Sequence, residues 1–454
     1  MSAIIAILGA VFAFFIVVLV HEAGHFVVAR CCGIKVLRFS IGFGKSLFSH
    51  RAKSGVEYTI GMLPLGGYVK MQDAYSDTLN PSEGSSGVAF EKTSVFTRIA
   101  VALAGPLANF LLAILVFAII FTVGIHRLKP IVGRVLPHSV AAQAGIQPGD
   151  QVIRIRETAT PDWQSVILSL IIHAGDEDEL PLTVISRSLA TPTTRFLDMQ
   201  GWEFDPARPD LLGSIGMLPF FPTVSAKLAV VLSNSPAAKA GLQPGDVVLR
   251  VNNQPVSDWQ TLVAQLQPHP NQIVNLTIRR NGNNQTLSVL MGEQKQGGRL
   301  SGYLGVEPNV PPIPASLENH QQYPWYLAIQ PATEEVWRWT YFQLVVVKKL
   351  FEGKLSMQML GGPVSIFQSA GSASLAGLIA YLQFIALISV ILGVFNLFPI
   401  PALDGGQILF CLIESVIGRP LPERAQIALT NFGIIILVIL MCYATSNDLL
   451  RLFH

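Results

Sequence analysis

Charge is scarce in this chain. Asp, Glu, Lys and Arg make up 13% of its 454 residues, while half are hydrophobic, and mean hydropathy is +0.47. So little charge over such a length excludes a disordered chain and an ordinary soluble globule; it indicates an integral membrane protein with soluble parts. The net charge of +2 lacks the basic excess of a nucleic-acid binder, so no nucleic-acid partner is expected. Cysteine is nearly missing too. Cys31, Cys32, Cys411 and Cys442 are the whole set, and none forms a C-x-x-C, which argues against a thiolate zinc site or a redox pair. Residues 126–370 hold none and can fold in an oxidising or a reducing compartment. Finally, there is no Lys or Arg before Arg30. Without a basic leading region, and with an apolar run too long for a signal peptide, the first segment reads as a retained spanning helix.

That run, Ala3 to Val20, leads directly into His21-Glu22-Ala23-Gly24-His25. Residues four apart on a helix share a face, so His21 and His25 can converge on one ion, with Glu22 one step round to handle a proton. This is H-E-x-x-H, the two-histidine half of a zinc hydrolase site with its general base. Chance copies of so short a motif occur on solvated helix faces. Here the motif lies at membrane depth, where ionisable groups are costly and are read as functional.

In chain order, the expected layout is as follows. Residues 1–30 form the first transmembrane segment. The loop 31–97 is cytoplasmic by the positive-inside rule, since Arg30, Lys35, Arg38, Lys45, Arg51 and Lys53 follow the first segment. Within it Ile41-Gly42-Phe43-Gly44 precedes Val56–Met71, a glycine-punctuated stretch of strand formers. It reads as a re-entrant or interfacial β-hairpin beside the active site, with an ordinary small β-subdomain as the competing reading; 72–94 reads as a flexible loop. Residues 98–125 are the second segment, carrying Gly105-Pro106-Leu107-Ala108-Asn109. Asn109 is expected chiefly as helix–helix glue, with proximity to the metal as the alternative.

An internal repeat follows. Val135–Asp150 returns as Val231–Asp246, and Asp162-Trp163-Gln164 is answered by Asp258-Trp259-Gln260. A period of 96 residues is a domain duplication, not a solenoid. Each copy, 126–220 and 221–309, reads as a small, mostly β domain. The A-A-x-A-G-[IL]-x-P-G-D pattern ahead of a strand resembles the PDZ domain in its bacterial order. That resemblance implies binding of peptide C-termini by strand addition, with a loop holding the carboxylate. Candidate loops are Leu212-Gly213-Ser214-Ile215-Gly216 and Gly302-Tyr303-Leu304-Gly305-Val306. The first copy carries Arg156-Glu157-Thr158 where the second has Asn252-Asn253-Gln254, so the first is either a ligand domain or a rigid spacer.

Residues 310–375 read as a linker and an amphipathic helix, about 325–352, on the outer membrane surface. Residues 376–417 are a broken third segment. They are too long for one straight crossing and are interrupted at Pro399-Ile400-Pro401-Ala402-Leu403-Asp404-Gly405-Gly406. Residues 418–426 form a cytoplasmic loop, 427–446 a fourth segment and 447–454 a tail. The expected fold is thus a polytopic α-helical membrane protein of four spans. It carries a membrane-associated β-hairpin and two periplasmic PDZ domains, with both termini periplasmic and the active site near the cytoplasmic side.

Asp404 supplies a third ligand. His21, His25 and Asp404, leaving a fourth position for water, is the open layout of a catalytic zinc, with Glu22 as base. A helix N-cap is the competing role for Asp404. Asn396 could donate a hydrogen bond to substrate backbone or to the developing oxyanion, or simply pack at the helix break. At this point the chain resembles the site-2 protease family of intramembrane zinc metalloproteases. The resemblance rests on the H-E-x-x-H, on Asn396-x-x-Pro399-x-Pro401-x-Leu403-Asp404-Gly405, on Gly42-Phe43-Gly44 and on the tandem repeat, and covers nearly the whole chain. It implies one Zn2+ held by His21, His25 and Asp404, with Glu22 as base. It implies cleavage of a single-pass membrane protein in the lipid membrane, such as an anti-sigma factor after a first periplasmic cut. It further implies that the hairpin near Gly66-Gly67-Tyr68 pairs with unwound substrate, and that the PDZ pair screens out bulky periplasmic domains. A membrane-anchored PDZ adaptor without catalysis is the other reading; such an adaptor needs neither Glu22 nor Asp404.

Overall fold

The computed structural model describes residues 2–72, 88–175, 179–186, 191–200, 202, 210–296, 299–310, 312–359 and 361–453. Most of the segment expected as a flexible loop, 73–87, lies outside the described residues. The chain divides into two compact units. One comprises Met1–His126, Leu170–Asp176 and His320–Asp448, the other Arg127–Ser169, Glu177–Asn319 and Leu449–His454.

Among the described residues of the chain, four helices are long and apolar enough to cross a membrane. They span Ile4–Cys31, Val95–Val123, Leu378–Asn396 and Glu423–Arg451. The first belongs to the helix Ser2–Cys31, which stops where Gly33 takes a left-handed φ of +75°. The second is started by Ser94, whose hydroxyl accepts the Thr97 amide at 3.2 Å, and it runs on through Pro106. The third stops at Asn396 and helix resumes only at Asp404, ending at Ile417. The expected break therefore spans the two prolines, neither of which can donate to a helix ladder.

Two regions differ from expectation. Residues 310–375 hold a second helix, Pro363–Ala376. It is rich in Ser, Gly and Ala and so read as linker, yet its small side chains allow close packing on the first helix: Gly371 lies against Ala6 and Phe367 against Phe14 at 5.2 Å. The amphipathic helix spans Ile329–Phe351; one side of it packs on protein, while Trp337, Tyr341, Leu344 and Phe351 stay exposed. Ala328, Ala332 and Val336 join Phe117, Ile120, Phe121 and Val390 in one buried cluster. The presumed tail is helical through Phe453. Its register is held by Asp448, 2% exposed, whose carboxylate accepts the Gly362 amide at 3.0 Å and the Ser365 amide at 2.8 Å.

The stretch after the first helix forms two long strands, Val36–Arg51 and Glu57–Met71. Each folds over, so Thr59 is flanked by both Ser40 and Ser49, and Ser40 by both Thr59 and Tyr68. The result is a small sheet in which, among the described residues, 67–71 pair on one side only. Ile34, Val36, Phe39 and Ile41 seat the sheet against Val18, Ala29 and Val101.

In the other unit the duplication in sequence is a duplication in fold. The first copy has a four-stranded sheet ordered Thr158–Ala159, Gln151–Ile155, Glu179–Ile185, Pro192–Asp198. The second repeats that order with Gln254–Pro255, Val247–Val251, Ile273–Arg280 and Asn283–Leu290. Even single bridges repeat at the same offset, Ile131 to Gln151 and Lys227 to Val247. The Pro-Gly-Asp turns are closed alike, with Asp150 accepting the Gln147 amide and Asp246 that of Gln243, both at 2.9 Å. Leu180, Leu182 and Leu197 are fully buried in the first copy, Val274, Leu276 and Ile278 in the second.

Candidate active site

His21, Glu22 and His25 lie on the last three turns of the first helix, about 9–15 Å from its C-terminal end at 1.5 Å per residue. All three are buried. The second long helix runs beside them and touches the site at every fourth residue. The Val101 carbonyl accepts from His25 Nδ1 at 2.8 Å. The Asn109 amide lies 3.2 Å from His21 Nδ1. Between them, Gly105 has no side chain because there is no room: a Cβ there would stand 2.6 Å from His25 Cε1 and 2.7 Å from His21 Cε1.

Asp404 is the first residue of the half-helix Asp404–Ile417, and its side chain does not cap that helix. Its Oδ2 points instead at the histidines, 3.2 Å from His21 Nε2 and 3.4 Å from His25 Nε2. The two Nε2 atoms are themselves 3.2 Å apart. These three are the one His/Cys/Asp/Glu cluster of ligand spacing among the described residues. The donor set fits zinc on two counts. A tetrahedral ion with bonds of about 2.0–2.1 Å needs ligand atoms about 3.3–3.4 Å apart, close to the triangle seen. And Oδ2 is buried without a hydrogen-bond donor, an expense that a cation removes.

The other expected residues are placed less evenly. Gly67 comes to the site: a Cβ on it would meet Glu22 Cγ at 2.7 Å, so the one-sided strand 67–71 passes the base. Gly66, at φ +147°, and Tyr68 flank it. The Tyr68 ring stacks on Phe43 with centroids 6.3 Å apart, and its hydroxyl accepts from Arg38 Nη1 at 3.2 Å. Asn396 is half-buried at the last turn before the break.

Three residues that the sequence reading undervalued hold the site. Asn109, read mainly as glue, is fully buried against a histidine. Val101 contributes only its carbonyl, which no side-chain pattern could reveal. Gly105 and Asn109, four apart like His21 and His25, carried a usable signal, since two antiparallel helices with the same spacing can meet residue for residue. Arg98 Nη2 bonds Glu414 Oε1 at 2.5 Å, joining the second long helix to the half-helix that begins with Asp404.

The candidate carboxylate loops differ. Gly302–Val306 joins two strand ends through Leu304 and a left-handed Gly305 at φ +78°, and its Leu304 and Gly305 carbonyls accept the Ala237 and Leu232 amides. Leu212–Gly216 is instead a turn of helix, Leu211–Ile215, closed by Gly216. Its Gly213 amide is taken by Asp210 at 2.9 Å.

Comparison with known proteins agrees with this chemistry. Peptidase family M50 matches residues 9–440. The regulator of sigma-E protease RseP of Escherichia coli K12 is 40% identical over 437 residues, 96% of each chain. The RseP of Salmonella typhimurium is 39% identical over 437 residues, again 96% of each. A Vibrio cholerae relative that carries a zinc-metalloprotease name is 40% identical over 439 residues, 96% of each chain. With matches over nearly its full length, the chain belongs to peptidase family M50 and is a zinc metalloprotease.

Proposed function

We propose that this chain is an intramembrane zinc endopeptidase of the bacterial inner membrane. Its substrates are single-pass membrane proteins, such as an anti-sigma factor already cut once in the periplasm, cleaved within or near the transmembrane segment. The observation that carries this reading is the triangle of His21, His25 and Asp404 with Glu22 beside it, held on helices of membrane-crossing length.

His21, His25 and Asp404 hold the zinc. Zinc held there would supply Lewis acidity toward the scissile carbonyl and toward a water. Glu22 takes the proton of the attacking water and delivers it to the leaving amide nitrogen. Asn396 donates a hydrogen bond to substrate backbone or to the developing oxyanion. A helical substrate has its amides bonded and shielded, so it must be unwound first. Gly66, Gly67 and Tyr68 lie on a strand whose outer edge has no strand partner among the described residues, and that edge runs past Glu22. Pairing with this edge stabilises the extended substrate where the base can reach it.

The basic residues after the first helix put the sheet and active site toward the cytoplasm and the duplicated unit, with both termini, in the periplasm. The two copies are PDZ domains that restrict entry to substrates without bulky periplasmic parts. Each candidate loop has an amide already in use, Gly213 by Asp210 and Gly302 by the Gln267 carbonyl, so carboxylate capture falls to the remaining amides of each.

The test is cleavage of a single-pass reporter in proteoliposomes. Wild type should cleave; chelator should stop it; Glu22→Gln should stop it while zinc stays near one per chain. Equal cleavage in all three samples would sink the protease reading.

A further inference from the structure

His25 and His21 present Nε2 to the same point, and each has its Nδ1 occupied by a different kind of group. For His25 that group is the Val101 carbonyl, 2.8 Å away. A carbonyl only accepts, so His25 carries its proton on Nδ1 and leaves the Nε2 lone pair free for the ion. For His21 the group is the side chain of Asn109, 3.2 Å away, which has one end that accepts and one that donates. Asn109 is 0% exposed, and its Oδ1 is buried with no hydrogen-bond partner. Turning the amide by half a turn about Cβ–Cγ exchanges its two ends within the same volume. As placed, Nδ2 lies against His21 Nδ1; after the turn Oδ1 accepts from His21 Nδ1–H and Nδ2 takes the position Oδ1 leaves. The gain is not in the number of paired groups but in leaving His21 with the same protonation pattern as His25 and its Nε2 lone pair free for the ion.

We propose that Asn109 is a positioning residue for the metal centre, selecting the Nδ1–H tautomer of His21 through its amide oxygen and fixing the plane of that ring. The inference rests on the reading of His21, His25 and Asp404 as zinc ligands and adds a residue outside the H-E-x-x-H and L-D-G motifs. Partners of this kind set both ring orientation and ligand basicity, and their loss typically weakens metal binding 10–100-fold. The competing role is packing. Asn109 also meets the third long helix, because its backbone carbonyl accepts the Ser389 hydroxyl at 2.8 Å. On the Asn109 side that bond uses only the main chain, so the two roles separate by mutation of Asn109 and of Ser389.

The experiment measures zinc affinity of the detergent-solubilised full chain by competition with a chromophoric chelator, together with the ligand-field spectrum of the Co2+ form. Asn109→Ala should weaken zinc 10–100-fold and alter the Co2+ spectrum. Asn109→Asp keeps an acceptor and discards the donor, and should stay within about threefold of wild type if the amide oxygen is the working end. Ser389→Ala removes the packing bond and should leave zinc unchanged. The proposal is overturned if Asn109→Ala binds zinc like wild type, if Asn109→Asp is as weak as Asn109→Ala, or if Ser389→Ala weakens zinc as much. Should Asn109→Ala fail to fold, the Asn109→Asp and Ser389→Ala results still decide. His21→Ala and Asp404→Ala are run alongside: if they too leave zinc binding intact, the ligand assignment itself is wrong, a failure distinguishable from that of Asn109.

Discussion

Gly105→Ala adds one methyl group to the wall of the site. The new Cβ would stand 2.6 Å from His25 Cε1 and 2.7 Å from His21 Cε1, and nearer still to His25 Nε2. Carbon atoms settle at about 3.5–4.0 Å, so rings or helices must part by about 1 Å. The rings have little freedom to give. His25 is tied to the Val101 carbonyl and His21 to Asn109, both on the helix that carries the new methyl. Two energies then oppose each other. Alanine for glycine in a helix favours folding by up to about 1 kcal/mol, and overpacking a core opposes it by about 1–3 kcal/mol. Net stability should therefore move by no more than about 2 kcal/mol. Function should move much further. A site tolerates about 0.5 Å of error, and a displacement of about 1 Å can cost about 100-fold. The expected signature is a protein that melts near the wild-type temperature but has lost most of its zinc and about 99% of its cleavage rate. Zinc per chain, proteoliposome cleavage and thermal melting read the three quantities. Gly393→Ala is the comparison: its Cβ would meet Phe110 and the Pro106 carbonyl at 3.2 and 3.3 Å, a few tenths of an ångström too close and away from the imidazoles. The reasoning fails if Gly105→Ala keeps zinc and activity, or if Gly393→Ala loses them equally.

The Arg98–Glu414 pair is mostly buried, with side chains 14% and 17% exposed. Glu414→Gln should thus destabilise by about 3–5 kcal/mol by stranding the guanidinium, while Arg98→Met with Glu414→Leu should recover most of that loss in denaturant melts. In the duplicated unit, burial acts to raise the Asp246 carboxyl. The Arg280 guanidinium and the Gln243 amide outweigh it and hold the group below the ordinary carboxylate range. A depressed folded value adds stability that is present above the unfolded value of about 3.9 and lost as pH falls through the folded value. Asp246→Asn should therefore lower stability at neutral pH and flatten the acid limb of a stability–pH curve; an unchanged limb would mean the Arg280 pair contributes nothing there.

Much of this could be read from the residues because membranes and metals constrain chains tightly. The apolar runs showed where helices lie, since lipid offers backbone no other partner. The break at Pro399 and Pro401 showed where one stops. H-E-x-x-H with a lone aspartate on that break showed which atoms meet. What could not be read was carried by backbone or by small residues. Val101 acts through a carbonyl that every residue possesses. Pro363–Ala376 reads as linker because its serines and glycines weaken the helix and hydropathy signals, although its small residues let two helices approach closely. The Leu212–Gly216 stretch was expected as a carboxylate loop, like its counterpart. Asp210, which has no equivalent in the motif, caps it into a helical turn instead. The span of the fourth helix was cut short because Asn447, Asp448 and Arg451 look like a solvated tail, whereas Asp448 is buried against the amides of Gly362 and Ser365.

The register between the first two long helices explains why the site tolerates so little. Val101, Gly105 and Asn109 recur every four residues on one helix, as His21 and His25 do on the other, and the two run antiparallel so that 101 meets 25 and 109 meets 21. One shift of a single residue would put a side chain where Gly105 must be empty, and would remove both Nδ1 partners at once. The site is therefore specified by a matched spacing on two helices more than by either motif alone. The third element needs no such register. Asp404 enters from a chain break and brings one oxygen, and the bond between Arg98 and Glu414 ties its half-helix to the same second helix that aligns the histidines. All three ligands thus take their positions from the Val95–Val123 helix, which contributes no ligand itself.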